Sequence, residues 1–189
     1  MNYNLLDMPV IIAFIGRAGS GKDYQCSLLQ QKGFIKLAFA DSLRQVTAKI
    51  ARIPYKDMLH IYDDFKSGDI FPGYTGRELM ENIGGALRDV DPNIWINGLI
   101  NSIKNKYCGK NICISDLRYV NEYMALFEYT KHSPYNLVTV FCDYHSDRYQ
   151  EINTHESAHL SNWFAQHGYK DLTIIDKSDI EAYILDNQL

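Results

Sequence analysis

No apolar run in this chain of 189 residues approaches the roughly 20 residues that a membrane-spanning helix requires, so no span is expected. Positive charge is in short supply as well. Nineteen Lys and Arg stand against 23 Asp and Glu, giving a net charge of −4 and a pI near 5.8. A protein that grips a long nucleic acid by neutralising its phosphates needs a basic surface, so that class of partner is set aside. A small anionic ligand needs only a local cluster of cations and stays open. The four cysteines, Cys26, Cys108, Cys113 and Cys142, form no Cys-x-x-Cys pair, and three of them sit in apolar runs where cysteine behaves as a small core residue. Free thiols in a reducing cytosol are expected. The residues ahead of the first apolar run carry Asn and Asp rather than the basic start and apolar stretch of a signal peptide, which fits a cytoplasmic location. There is no internal repeat, no low-complexity tract and no clear linker, and the length suffices for one good core, so a single domain with insertions is expected.

What the chain does have is concentrated in residues 10–23, Val-Ile-Ile-Ala-Phe-Ile-Gly-Arg-Ala-Gly-Ser-Gly-Lys-Asp. A buried strand there runs into Gly16, Gly21 and Lys22 at the spacing of a P-loop, in which backbone N–H groups wrap a polyphosphate and the lysine reaches its outer phosphates. A helix from about residue 21 to 31 adds its unpaired N–H groups and positive dipole end. The expected nucleotide-binding stretch is therefore Gly16, Arg17, Ala18, Gly19, Ser20, Gly21, Lys22, Asp23 and Tyr24. The glycines fall as Gly-x-x-Gly-x-Gly, which does not fit the dinucleotide fingerprint Gly-x-Gly-x-x-Gly and disfavours a nicotinamide or flavin enzyme. Asp23 stands where most P-loops have a Ser or Thr that ligates Mg²⁺. A carboxylate suits that hard cation or its water shell, the alternative being an ordinary first-turn acid.

Further apolar runs predict strands at 34–39, 111–114, 137–141 and 172–175, in addition to 10–15. Segments of helical period lie between them at 42–51, 76–87, 92–104, 121–129, 155–166 and 179–185, and Asp91-Pro92 supplies a capping acid before a proline at one start. Strands alternating with helices indicate an α/β fold, a mainly parallel sheet with helices on both faces. Residues 53–74, with Pro54, Gly68, Pro72, Gly73 and several acids, read as a mobile connection or irregular subdomain.

Phosphoryl transfer also needs a metal, cations over the moving group and a pocket for the acceptor. Asp116 follows a strand and would lie at its carboxyl end, where ligands collect in open α/β sheets; it is a candidate metal ligand with Asp23, or else a helix-capping acid. Arg118 follows in Ser115-Asp116-Leu117-Arg118, and a guanidinium fork matches two phosphate oxygens. Arg44, Arg77 and Arg88 lie in segments that would build the acceptor side, each having the alternative of a solvated surface residue. Arg148 falls in the polar stretch 143–154, of the kind that forms a lid over a transferring group or else a plain surface loop.

Gly-Lys-Asp at 21–23, Ala-Phe-Ala-Asp-Ser-Leu-Arg at 38–44, Arg77 ahead of Gly84-Gly85, Asp91-Pro92 with Trp95, Ser-Asp-Leu-Arg at 115–118 and Thr-His-Glu-Ser at 154–157 together resemble the bacteriophage-type deoxynucleoside monophosphate kinases. Each piece is short, but their order spans most of the chain. The resemblance implies a three-layer P-loop kinase fold, ATP as donor, Mg²⁺, and a deoxynucleoside monophosphate as small-molecule acceptor; a homodimer is allowed. By the same resemblance Arg77 and Arg118 help bind the acceptor, while Lys22 and a lid arginine, Arg148, act on the transferred phosphoryl, with an acceptor-binding helical region at about 40–105 and a lid at about 143–160. Two positions depart from the pattern: Glu81, on the acceptor side, replaces a usual Gln, and Gly85 a usual Thr, which leaves the base preference open. Related small-metabolite kinases acting on phosphomevalonate or dephospho-coenzyme A are the nearest alternative, followed by a nucleotide-dependent switch protein. A rival of another class comes from His155-Glu156-Ser157-Ala158-His159, the His-Glu-x-x-His pattern of zinc proteases, for which Glu181 or His167 would have to serve as third ligand.

Overall fold

All six residues of β1 (Val10–Ile15) are at most 2% exposed. A continuous apolar run without alternation is what a strand covered on both faces requires. The computed structural model describes residues 8–16, 19–71, 73–142, 160, 163, 166 and 172–174, and these fall into two compact units, one drawn from 1–38 and 102–189 and the other from 39–101.

In the first unit β1 pairs in parallel with β5 (Ile112–Ile114) on one side and β6 (Asn136–Cys142) on the other. β2 (Ile35–Leu37) lies outside β5 and β7 (Leu172–Ile174) outside β6, completing a parallel sheet of order β2-β5-β1-β6-β7. Helix α1 (Lys22–Gln31) joins β1 to β2 and packs on β2 and β5, while α7 (Val120–Lys131) joins β5 to β6 and packs on β6. One face of the sheet contributes Val10, Ile12, Phe14, Cys113, Val140 and Cys142 to a core closed by Cys26, Leu29 and Phe34. The chain leaves β1 towards β2 but leaves β5 in the other direction, past β1 to β6. The carboxyl ends of the neighbouring strands β1 and β5 therefore form the point where connections diverge, the place where open α/β sheets hold ligands.

The second unit holds α2 (Ala40–Ile50), α3 (Tyr55–His60), α4 (Tyr62–Ser67), a hairpin of β3 (Asp69–Phe71) and β4 (Tyr74–Thr75), α5 (Gly76–Val90) and the start of α6 (Ile94–Lys106). Its own core is Ala48, Met58, Phe65 and Met80. Gly98 of α6 lies close to Ser42 of α2: a Cβ there would stand 2.6 Å from the serine Oγ.

Most expected elements are present with shifted ends. The strand expected at 34–39 stops at Leu37 because Ala40 opens α2, whose first turn contains Asp41, an acid placed favourably for the helix dipole. Residues 53–74 are more regular than their composition suggests, since α3, α4 and β3 lie there together with the first residue of β4. Pro54, at φ −55, stands just before α3, where its fixed torsion and missing N–H cost nothing. The segment at 179–185 and most of 155–166 lie outside the described residues; Leu160, Trp163 and Gln166 are helical.

Candidate functional site

The loop after β1 is built around glycines that accept torsions closed to other residues. Gly16 has φ 152°, and a Cβ on it would come within 2.5 Å of both the Cys142 carbonyl oxygen and Ser20 Oγ, so the end of β6 can lie directly against the loop only if position 16 has no side chain. Gly21, at φ 84° and ψ 4°, is left-handed at the N-cap of α1 and turns the chain into the helix. Ser20 is buried, and Lys22, the first helical residue, bends back so that Nζ donates to the Gly16 carbonyl at 2.7 Å and to Ser20 Oγ at 3.3 Å. The result is a helix N-terminus with one ammonium group folded back onto Gly16 and Ser20, an arrangement suited to a polyphosphate.

Four of the expected residues come together here: Lys22 is electrostatically coupled to Asp23, Asp116 and Arg118. Burial holds the Lys22 ammonium below its ordinary pKa, helped by the Arg118 charge and opposed by the field of Cys142 and by the two aspartates. Asp23 receives Lys36 Nζ at 2.6 Å on Oδ1 and a hydrogen bond from the Ser115 hydroxyl. Burial works against its charge, yet Lys36, Ser115 and Lys22 together hold the carboxyl below the usual range. The carboxylate is thus held in place by a lysine and a serine hydroxyl at the start of α1. Among the described residues no group of three or more His, Cys, Asp or Glu side chains is placed to hold a metal ion. That is compatible with Mg²⁺, which keeps several waters and takes one or two carboxylates together with substrate phosphates.

Asp116 is half-buried and Arg118 exposed at the carboxyl end of β5, on either side of Leu117, which is 1% exposed in the core. Their loop is tied down by Glu122, a buried residue of α7 whose Oε2 accepts from the Arg118 N–H at 2.9 Å and the Tyr119 N–H at 3.1 Å. At the end of β6 burial pushes the Cys142 thiol up to about 11. Tyr24 points from α1 with nearly half its surface exposed.

The second unit carries Arg44, Arg77, Glu81 and Arg88. Arg44 is paired with Asp41 of its own helix at 2.9 Å. Arg77, Glu81 and Arg88 occupy positions i, i+4 and i+11 of α5 and so share one stripe of that helix, with Gly84 between them. Position 84 is close to Leu43, 3.2 Å from where a Cβ would be, so a side chain there would crowd α2. The start of α5 is fixed by Thr75, whose Oγ1 accepts from the Glu78 N–H at 3.3 Å while its own N–H donates to Glu78 Oε2 at 2.8 Å, which sets Arg77 in the first turn. Arg17, Ala18, Arg148, the lid stretch 143–159, the His-Glu-x-x-His segment 155–159, His167 and Glu181 lie outside the described residues.

Sequence reasoning missed Lys36 and Glu122. Lys36 reaches Asp23 across the β2–α1 packing, a pairing that no local pattern announces. Glu122 did carry a signal: an acid in the first turn after a loop is the residue that returns to cap preceding N–H groups.

No protein-family model matches the chain, and no curated protein does either. Solved structures do. The chain overlaps TT1252 from Thermus thermophilus with a TM-score of 0.50 at 13% identity, covering 96% of this chain and 98% of that one. It overlaps a protein from Chloroflexus aurantiacus, described as a putative kinase, with a TM-score of 0.50 at 14% identity, covering 96% of this chain and 97% of the other. No helix of the described residues is long and apolar enough to cross a membrane. At such identities the likeness is one of architecture, and with the loop geometry it defines the chain as an α/β protein with a mainly parallel sheet and the P-loop NTPase fold.

Proposed function

We propose that the protein is a kinase that transfers the γ-phosphoryl of ATP to a deoxynucleoside monophosphate. The observation that carries the reading is the grouping of Lys22, Asp23, Asp116 and Arg118 at the diverging strand ends, beside Gly16, where a Cβ would meet the Cys142 carbonyl and Ser20 Oγ. The resemblance of the ordered motifs through residues 21–157 to the deoxynucleoside monophosphate kinases favours the nucleotide acceptor over other small phosphorylated metabolites. When bound, ATP with Mg²⁺ supplies the transferable phosphoryl group and a divalent charge. The loop N–H groups and the α1 N-terminus hold phosphate oxygens, Asp23 and Asp116 offer carboxylates to the cation, and Lys22 and Arg118 offset the charge that builds up as two anions are brought together. An acceptor phosphate is already ionised near neutral pH, so no side chain has to remove a proton from it. We assign Arg44, Arg77, Glu81 and Arg88, within a region at about 40–105, to the acceptor, and Arg148 to a lid at about 143–160 that excludes water.

The test is a transfer assay with ATP, Mg²⁺ and a panel of deoxy- and ribonucleoside monophosphates, phosphomevalonate and dephospho-coenzyme A, read as diphosphate or phosphorylated product. Diphosphate formation from deoxynucleotides, with little hydrolysis in water alone, is expected. Acceptance of only the non-nucleotide substrates would move the protein to the small-metabolite kinases. Failure of every acceptor with slow ATP hydrolysis would favour a switch protein. Copurifying zinc that is lost with peptidase activity in His155→Ala would overturn the kinase reading altogether.

A further inference from the structure

We infer that Glu122 is a positioning residue for transfer, holding the loop between β5 and α7 so that Arg118 keeps one direction beside the phosphate site. The inference rests on the kinase reading above. Glu122 is 4% exposed, and a carboxylate buried to that degree is costly unless its oxygens are hydrogen-bonded. Its Oε2 receives two N–H donors, from Arg118 at 2.9 Å and Tyr119 at 3.1 Å, both within good hydrogen-bond distance.

Those donors belong to the two peptide planes that flank the Arg118 Cα. Anchoring both on one oxygen restrains both torsions of Arg118, because only φ and ψ join the planes. Leu117, 1% exposed, pins the preceding residue in the core. The guanidinium is exposed and long, so left to itself it would sample many directions; with its backbone fixed, the arc open to it narrows. A carboxylate that served only to cap α7 would be satisfied by N–H groups of the helix and its N-cap. The Arg118 N–H lies before the N-cap, Tyr119, and is gripped at the shorter distance. The grip thus extends into the loop that carries Asp116 and Arg118, whose charges are both felt at Lys22.

The test compares Glu122→Ala with Glu122→Gln, which has the same length and keeps a carbonyl acceptor. For Ala, kcat should fall about tenfold or more while ATP affinity, measured by titration, stays within about twofold, the pattern of an interaction used in positioning rather than in donor binding; Gln should recover most of the loss. Amide exchange at Arg118 and Tyr119 should quicken in Ala by about tenfold or more, with Gly19 to Asp23 unchanged. Unchanged exchange at those two amides would overturn the inference. So would an Ala variant with normal kcat, or Ala and Gln variants that lose stability and ATP affinity together and equally. If the Ala variant does not fold, Glu122→Asp, whose shorter arm draws back from both donors, replaces it with the same expectations. If the unaltered protein phosphorylates no acceptor, the kinase reading fails by itself, and the exchange comparison still decides whether Glu122 holds the loop.

Discussion

At the residue scale the site depends on charges kept in partly buried surroundings. Lys22 is held below its ordinary pKa mainly by burial, so its charge works against folding. For a base depressed in the folded state, the unfolded chain binds more protons between the folded and unfolded pKa values; stability therefore rises with pH through that interval, and the penalty is complete below it. Lys22→Met should remove this rising alkaline limb from a plot of unfolding free energy against pH and leave a folded protein. Its turnover should drop by about a hundredfold or more, the scale expected for losing a principal charge-stabilising group, and a kcat measurement beside the melting curve separates the two effects. Asp23 has the opposite sign. Burial raises its pKa, but Lys36, Ser115 and Lys22 outweigh burial and hold the carboxyl low, so its stabilising share is present above the unfolded carboxylate value and is lost as pH falls through the folded one. Lys36→Met should shift that loss to higher pH, seen as earlier acid unfolding in thermal melts taken between about pH 5 and pH 2.

At the element scale the junction of β1 and α1 is the part least tolerant of change. Gly16→Ala would force a Cβ into contact with the backbone carbonyl of Cys142, which cannot swing aside as a side chain can, and would do so at a torsion unfavourable to alanine. A loss of about 1–3 kcal/mol in urea unfolding is expected, together with weakened nucleotide binding. Helix α5 makes a different demand, because its stripe of Arg77, Glu81 and Arg88 is assigned to the acceptor while the donor loop belongs to other elements. Arg77→Ala should raise the acceptor KM by about tenfold and leave ATP affinity nearly unchanged, and Arg77→Lys should recover little, because an ammonium lacks the two-pronged fit to phosphate. Steady-state kinetics with each substrate varied in turn distinguishes this from general damage.

At the scale of the whole molecule, legibility in the sequence followed the range of the interactions. β1, α1 and the loop glycines were readable because strand, turn and helix each leave a local pattern, and the parallel sheet followed from strands alternating with helices. The order β2-β5-β1-β6-β7 was not readable, since pairing of Ile11 with both Ile112 and Leu137 is fixed by packing between segments far apart in the chain. The same reason hid Lys36 behind Asp23. Residues 53–74 misled in the other direction: Pro54 and Gly68 read as breakers, but they stand at helix boundaries, where breakers belong. The position of Asp116 and Arg118 just past β5 was readable because polar residues following an apolar strand are visible in one dimension.

The distribution of sulfur across the molecule has a practical consequence. Cys26, Cys113 and Cys142 are buried while Cys108 is exposed. An alkylating or disulfide reagent should therefore modify one site at once and the others only when the structure opens, since the attacking species is the thiolate and burial raises the pKa of Cys142 to about 11. Cys108 offers a point for attaching a reporter dye away from the glycine loop. Cys142, whose carbonyl backs Gly16, becomes a clock: its labelling rate measures how often the end of β6 parts from the loop, and a bound nucleotide should slow it.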